Sequence, residues 1–236
     1  MIPADDEISD RYWDPEWENR SYSKDPFPIV QGQDLNGGTV PNNDFRDGSE
    51  SHYAFQNIVW DNNDKTVSLE VYTNAWAGEI SENTTWEKDV FIYDDITIDM
   101  DVTLTIGSGV KVEFASGKKM TVNGRLVVQG TSTEPITLTS SSSNPSPGSW
   151  YGIVVEDGGE IELNHAKVEY ATYGVKSSYA NVELRNSEFM RNKWGCRLYH
   201  SDGAVIDNCV FSDNYYYGAL LSYSSNVNIE DSEFKN

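Results

Sequence analysis

The sequence predicts an all-β solenoid, a parallel β-helix with coils of about 22 residues. Three observations carry that expectation. A branched or aromatic residue recurs at Val168, Phe189, Phe211 and Phe234, in steps of 21, 22 and 23. A second apolar column, Leu163, Leu184, Ile206 and Ile229, keeps the same pace. A glycine follows each turn of the pattern, at Gly174, Gly195 and Gly218. A period just above twenty, built from short alternating runs, describes repeats that bury their apolar face only against their neighbours.

Within one coil, Val182, Leu184, Ser187 and Phe189 point one way while Glu183, Arg185 and Glu188 point the other, the period of a half-buried strand. Asn, Gly, Ser and Tyr separate the strands, so the coil turns without a helix, and the leucine-spaced half of a leucine-rich repeat is missing. Asn192 and Asn214 each fall three residues after a column phenylalanine, and stacked asparagines there are expected to bond side chain to side chain up the solenoid. Looser coils precede these. Ile96–Ile98, Val102–Ile106, Val110–Phe114, Met120–Val122 and Arg125–Val128 alternate and are joined by turn signals. Ile136–Thr139, a Ser/Pro/Gly loop at 140–149 and Trp150–Val155 follow.

Three stretches carry a family resemblance: Gly78–Trp86, Val102-Thr-Leu-Thr-Ile-Gly-Ser-Gly-Val-Lys-Val-Glu-Phe114, and Leu126–Thr131 with Glu134–Thr139. They resemble the N-terminal opening of right-handed parallel β-helix repeats in large secreted or surface-attached bacterial proteins. The later Asn-Ser-Glu-Phe and Asn-Cys-Val-Phe coils look like the pectate-lyase-type repeat. The resemblance spans Gly78 to Asn236. It implies a right-handed parallel β-helix, and it leaves activity open, because such folds serve lyases, hydrolases, epimerases, adhesins and inert stalks.

The expected organisation is an irregular acidic segment over 1–50, a β-hairpin and cap region over 51–85, and the parallel β-helix over 86–236. The first segment mixes acidic residues with Pro, Gly and Asn and carries Trp13, Trp17 and Phe27. Tyr53–Trp60, the Asp61–Asp64 turn and Thr66–Tyr72 read as the hairpin. The C-terminus falls in the middle of a coil, and the opening Met1-Ile-Pro-Ala reads as a start Met on an excised or mature segment. The expected partner at that end is therefore a further coil, a second solenoid or another domain.

The net charge is −21, which disfavours nucleic acid and anionic membranes as partners. No stretch approaches the roughly 20 apolar residues of a membrane span. Cys196 and Cys209 occupy different columns with small or apolar companions and are expected as buried thiols.

No converging carboxylate and cation set of a β-helix lyase or hydrolase is legible, so no catalytic residue is assigned. His165 aligns with Asn186, Asn208 and Asp231 on an outward polar column, and His200 with Asp202 falls in a turn. Asp61, Asp64, Asp99 and Asp101 are the candidate calcium ligands, although their spacing matches no known loop. A separate set is aromatic. Tyr173, Trp194 and Tyr217 each precede the coil glycine, while Tyr179, Tyr199 and Tyr223 follow it by five, four and five residues. Planar groups at coil spacing suit sugar stacking as well as a structural ladder. The expected function is a non-catalytic extracellular or cell-surface scaffold or stalk that mediates structural or adhesive interactions with a polysaccharide or protein. The alternative is a carbohydrate-active β-helix, a polyuronide lyase, an epimerase or a glycan-binding part of one.

Overall fold

A side chain repeated once per coil needs the same neighbour above and below. The computed structural model, which describes residues 52–61, 63 and 66–235, supplies it. Val168, Phe189, Phe211 and Phe234 are successive partners in parallel register. The three phenylalanine rings stack with centroids 4.9 Å apart and planes inclined by 10° and 5°. Leu163, Leu184, Ile206 and Ile229 form the second inward column. Burial is complete along both columns except in the last coil, where Phe234 is 51% and Ile229 44% exposed.

Each coil contributes three short strands, and like strands pair in parallel to make three faces. Face 1 is a seven-stranded sheet: Thr84–Trp86, Thr103–Ile106, Arg125–Gln129, Glu160–Asn164, Asn181–Arg185, Val205–Asp207 and Asn228–Glu230. Face 2 runs through Lys111–Phe114, Ile136–Ser140, Ala166–Glu169, Glu188–Met190, Val210–Ser212 and Glu233–Lys235. Face 3 runs through Ala75–Ile80, Lys119–Val122, Trp150–Val155, Ala171–Ser178, Trp194–Tyr199 and Tyr217–Ser222. The strand Val90–Ile98 serves both, pairing with Lys111–Phe114 through residues 90–92 and with Lys119–Val122 through 96–98. Its burial lapses at Asp94 and Asp95, where it rounds the corner. Pairing begins upstream of Trp86, because Ala75–Ile80 and Thr84–Trp86 already lie in register with the next coil.

Three corners turn each coil, and from His165 onward each corner places a non-glycine residue at positive φ. One corner holds His165, Asn186, Asn208 and Asp231, the second Tyr170, Arg191 and Asp213, the third Tyr179, His200 and Tyr223. Left-handed backbone suits Asn, Asp and His and opposes bulky side chains, so the tyrosines there are strained. Ladder hydrogen bonds hold them: Tyr179 N donates to Tyr199 O at 3.0 Å and His200 N to Ser222 O at 3.1 Å.

The asparagines divide into two ladders. Asn192 is fully buried, its Nδ2 donates to Val168 O at 2.9 Å, and its Oδ1 accepts from Ala171 N at 2.8 Å. Asn214 repeats this with Phe189 O and Asn192 N. These side chains therefore bond to the preceding coil's backbone, not to one another as the sequence suggests, because the bend leaves main-chain groups that only an amide can satisfy. Side-chain-to-side-chain bonding occurs at the neighbouring corner, where Asn208 donates to Asn186 at 2.7 Å and Asn186 to Asn164 at 2.8 Å.

Contacts divide the chain between Val71 and Tyr72. Ahead of that point, Ala54–Asp61 and Thr66–Tyr72 form a two-stranded sheet, with Val67, Leu69 and Val71 exposed. The irregular segment read over 1–50 lies outside the described residues.

Candidate functional site

On face 3, strand alternation sends Val175, Cys196 and Ala219 inward and the residues beside them outward. Tyr173, Trp194 and Tyr217 are register partners, as are Lys176, Arg197 and Leu220. Gly174, Gly195 and Gly218 behind the aromatic column leave no room for a side chain. A Cβ on Gly195 would sit 2.3 Å from Gly218 O, and one on Gly174 2.4 Å from Gly195 O. Close approach of the coils at this position brings the rings together.

The rings stack along the solenoid. Tyr173 and Trp194 lie 6.1 Å apart at 24°, and Trp194 and Tyr217 lie 5.2 Å apart at 29°. Tyr151 extends the column below Tyr173 at 5.6 Å, tilted by 60°. Trp194 thus has a neighbouring ring on each side, and what it turns to solvent is an edge. Lys176 Nζ lies 5.7 Å from the Tyr173 centroid and Arg197 Cζ 6.0 Å from that of Trp194, within the range of a cation–π contact.

The second column differs from its sequence reading. Its stacked members are Tyr179, His200 and Tyr223, with spacings of 4.5 and 5.3 Å and planes inclined by 8° and 16°. Tyr199 lies beside them edge-on, at 85° to Tyr179 and 76° to Tyr223. A uniform offset of five residues from Gly174, Gly195 and Gly218 finds Tyr179, His200 and Tyr223, and the irregular offset of four was the signal against Tyr199. Asp202, beside His200, is held below the usual carboxylate range by hydrogen bonds from Ser225 N and Oγ.

Most cations elsewhere on the solenoid are matched. Lys118 meets Asp94 at 2.8 Å, Arg125 meets Glu162 at 3.0 Å, Arg185 meets Asp207 at 3.1 Å, and Lys167 meets the nearly buried Glu169 at 2.9 Å. Arg191 donates to Tyr170 Oη at 3.1 Å across the same corner. Among the described residues no carboxylate pairs with Lys176 or Arg197, a pair of positions that attention to acids and aromatics passes over.

The candidate calcium ligands are scattered. Asp61 Oδ1 accepts from Asn63 N at 2.8 Å and closes the hairpin turn, Asp99 and Asp101 flank a turn between faces 3 and 1, and Asp64 lies outside the described residues. No group of three or more His, Cys, Asp or Glu side chains that could hold a metal forms among the described residues. Cys196 and Cys209 are free and buried. Burial raises the Cys196 thiol well above its ordinary value and pushes Cys209 up to about 11.

Residues 126–236 match the family described as a right handed beta helix region. No curated protein and no solved structure matches the chain. The match falls on the coils whose columns and ladders are described above, and the same three faces continue upstream of it: residues 126–236 are similar to a right-handed β-helix region and lie within a longer parallel solenoid.

Proposed function

We propose that this chain is a non-catalytic β-helix scaffold of a secreted or surface-attached protein, and that its outward faces serve structural or adhesive contacts outside the cell. The supporting observation is how its polar side chains are used. The amides of Asn192 and Asn214 reach the preceding coil's backbone, Ser187 Oγ accepts from Ala166 N at 3.0 Å, and Ser232 Oγ accepts from Cys209 N at 3.0 Å. Arg125, Arg185 and Arg191 span coils as well. Groups that would serve chemistry in a cleft serve here to hold one coil on the next. Two measurements test the reading. Incubation with a panel of neutral and acidic polysaccharides is expected to leave chain length and unsaturated-product absorbance unchanged, and turnover of any one of them would overturn it. Antibody detection in fractionated source cells is expected in the medium or surface fraction, and confinement to the cytoplasm would overturn the extracellular part.

A glycan-binding role is the second reading, favoured by the two aromatic columns beside Lys176 and Arg197. Sugars stack on ring faces, and only the outermost rings of these columns offer one. Retardation in polysaccharide gels that disappears in Tyr217→Ala and Tyr223→Ala, with both variants folded, would support it. Unchanged retardation would remove it.

A further inference from the structure

We infer that the Lys176–Arg197 strip of face 3 is a docking surface for an acidic polypeptide segment, an assignment that rests on the scaffold reading and names the partner's chemistry. The two residues occupy adjacent coils in register, their backbones about 4.8 Å apart at the strand spacing. No carboxylate among the described residues pairs with them, in a chain of net charge −21, whereas Lys167, Arg185 and Arg191 on neighbouring coils each meet one. Their charge is thus a local feature of this face. Beside them runs the aromatic column, whose middle ring, Trp194, is stacked on both faces. An aromatic edge is the positive end of the ring quadrupole and a phenol is a hydrogen-bond donor, so the whole strip favours carboxylates.

Exposure here belongs to the face. Tyr179 and Tyr199 are 52% and 37% exposed, although each coil that carries them has a neighbour on both sides. Lys176, Arg197, Tyr199 and Glu156 line a groove of about 360 Å³. Tyrosine, tryptophan and arginine together are the residue types that dominate protein–protein contacts. Face-to-face stacking leaves a free face only on the outermost rings, which works against a sugar.

The test uses the full chain and labelled poly-L-glutamate at about 0.15 M salt, where distant charges are screened. Sodium polygalacturonate serves as the anionic-glycan arm. The double variant Lys176→Glu/Arg197→Glu is expected to lose at least about tenfold in polyglutamate affinity. The charge-matched Lys88→Glu/Lys111→Glu, away from the strip, should stay within about threefold of the parent. Should the first variant fail to fold, Lys176→Gln/Arg197→Gln takes its place with the same expectation. Equal losses in both charge-reversed variants, no binding by the parent, or polygalacturonate binding at least as tightly with the same dependence on Lys176 and Arg197 would each overturn the assignment. Cleavage of polygalacturonate would instead sink the non-catalytic reading and leave the polyglutamate result standing.

Discussion

Phe211 lies between Phe189 and Phe234, 4.9 Å from each ring and without solvent contact. Phe189 is held by its own ladder, so the space left by truncation collapses only in part. Phe211→Ala is therefore expected to cost about 3–5 kcal/mol in equilibrium unfolding. A loss under about 1 kcal/mol would place the ring outside the core. The thiols follow from the same packing. Burial withholds the thiolate at Cys196 and Cys209, and the thiolate is the reactive form. Below the raised values both groups remain thiols in the folded chain. A maleimide at neutral pH is expected to label neither cysteine in the native protein and both after unfolding. Labelling of Cys196 without unfolding would mean that the coil opens locally.

At the scale of the coil, two glycines separate two causes. Gly195 has an ordinary φ, but a methyl group there would meet Gly218 O at 2.3 Å and the Phe211 ring at 2.7 Å. Gly203 has φ of +74°, and a methyl group there would meet nothing within 4 Å. Gly195→Ala is expected to cost at least about 2 kcal/mol because the coils must separate. Gly203→Ala should cost only about 1–2 kcal/mol, the strain of left-handed backbone. Equal and small losses in thermal unfolding would refute the close approach of coils at Gly195. The inward columns and their register were legible because side-chain alternation and a period of about 22 reinforce one another. Less legible was the strand Ala75–Ile80, whose Ala-Trp-Ala-Gly run breaks the apolar alternation. The destination of Asn192 was hidden as well, since its partners are main-chain groups of another coil. For the candidate site, sequence spacing located Tyr173, Trp194 and Tyr217, but ring orientation and the lack of partners at Lys176 and Arg197 depend on what neighbouring coils supply.

Across the whole solenoid, each coil touches only the coils beside it, so stability is a sum of coil terms and interfaces between neighbours. Coils in the middle, such as those carrying Leu184 and Phe189, gain two interfaces and are sealed completely. The coil of Asn228–Glu230 and Glu233–Lys235 pairs on one side only, with Val205–Asp207 and Val210–Ser212, and its strand residues are exposed. It therefore has about half the cohesive contact and can separate without disturbing the rest. Native-state hydrogen exchange should form a gradient. The amide of Asn228, which donates to Ala204 O, and that of Glu233, which donates to Cys209 O, should exchange well before those of Asn181 and Lys193 in the middle coils. Seating a further coil or a second solenoid on Phe234 would erase the gradient by supplying the missing interface. Sedimentation read against concentration tells whether a second copy does so. Uniform protection from Asn181 to Glu233 in a chain that remains monomeric would contradict nearest-neighbour stability and require coupling along the full length of the stack.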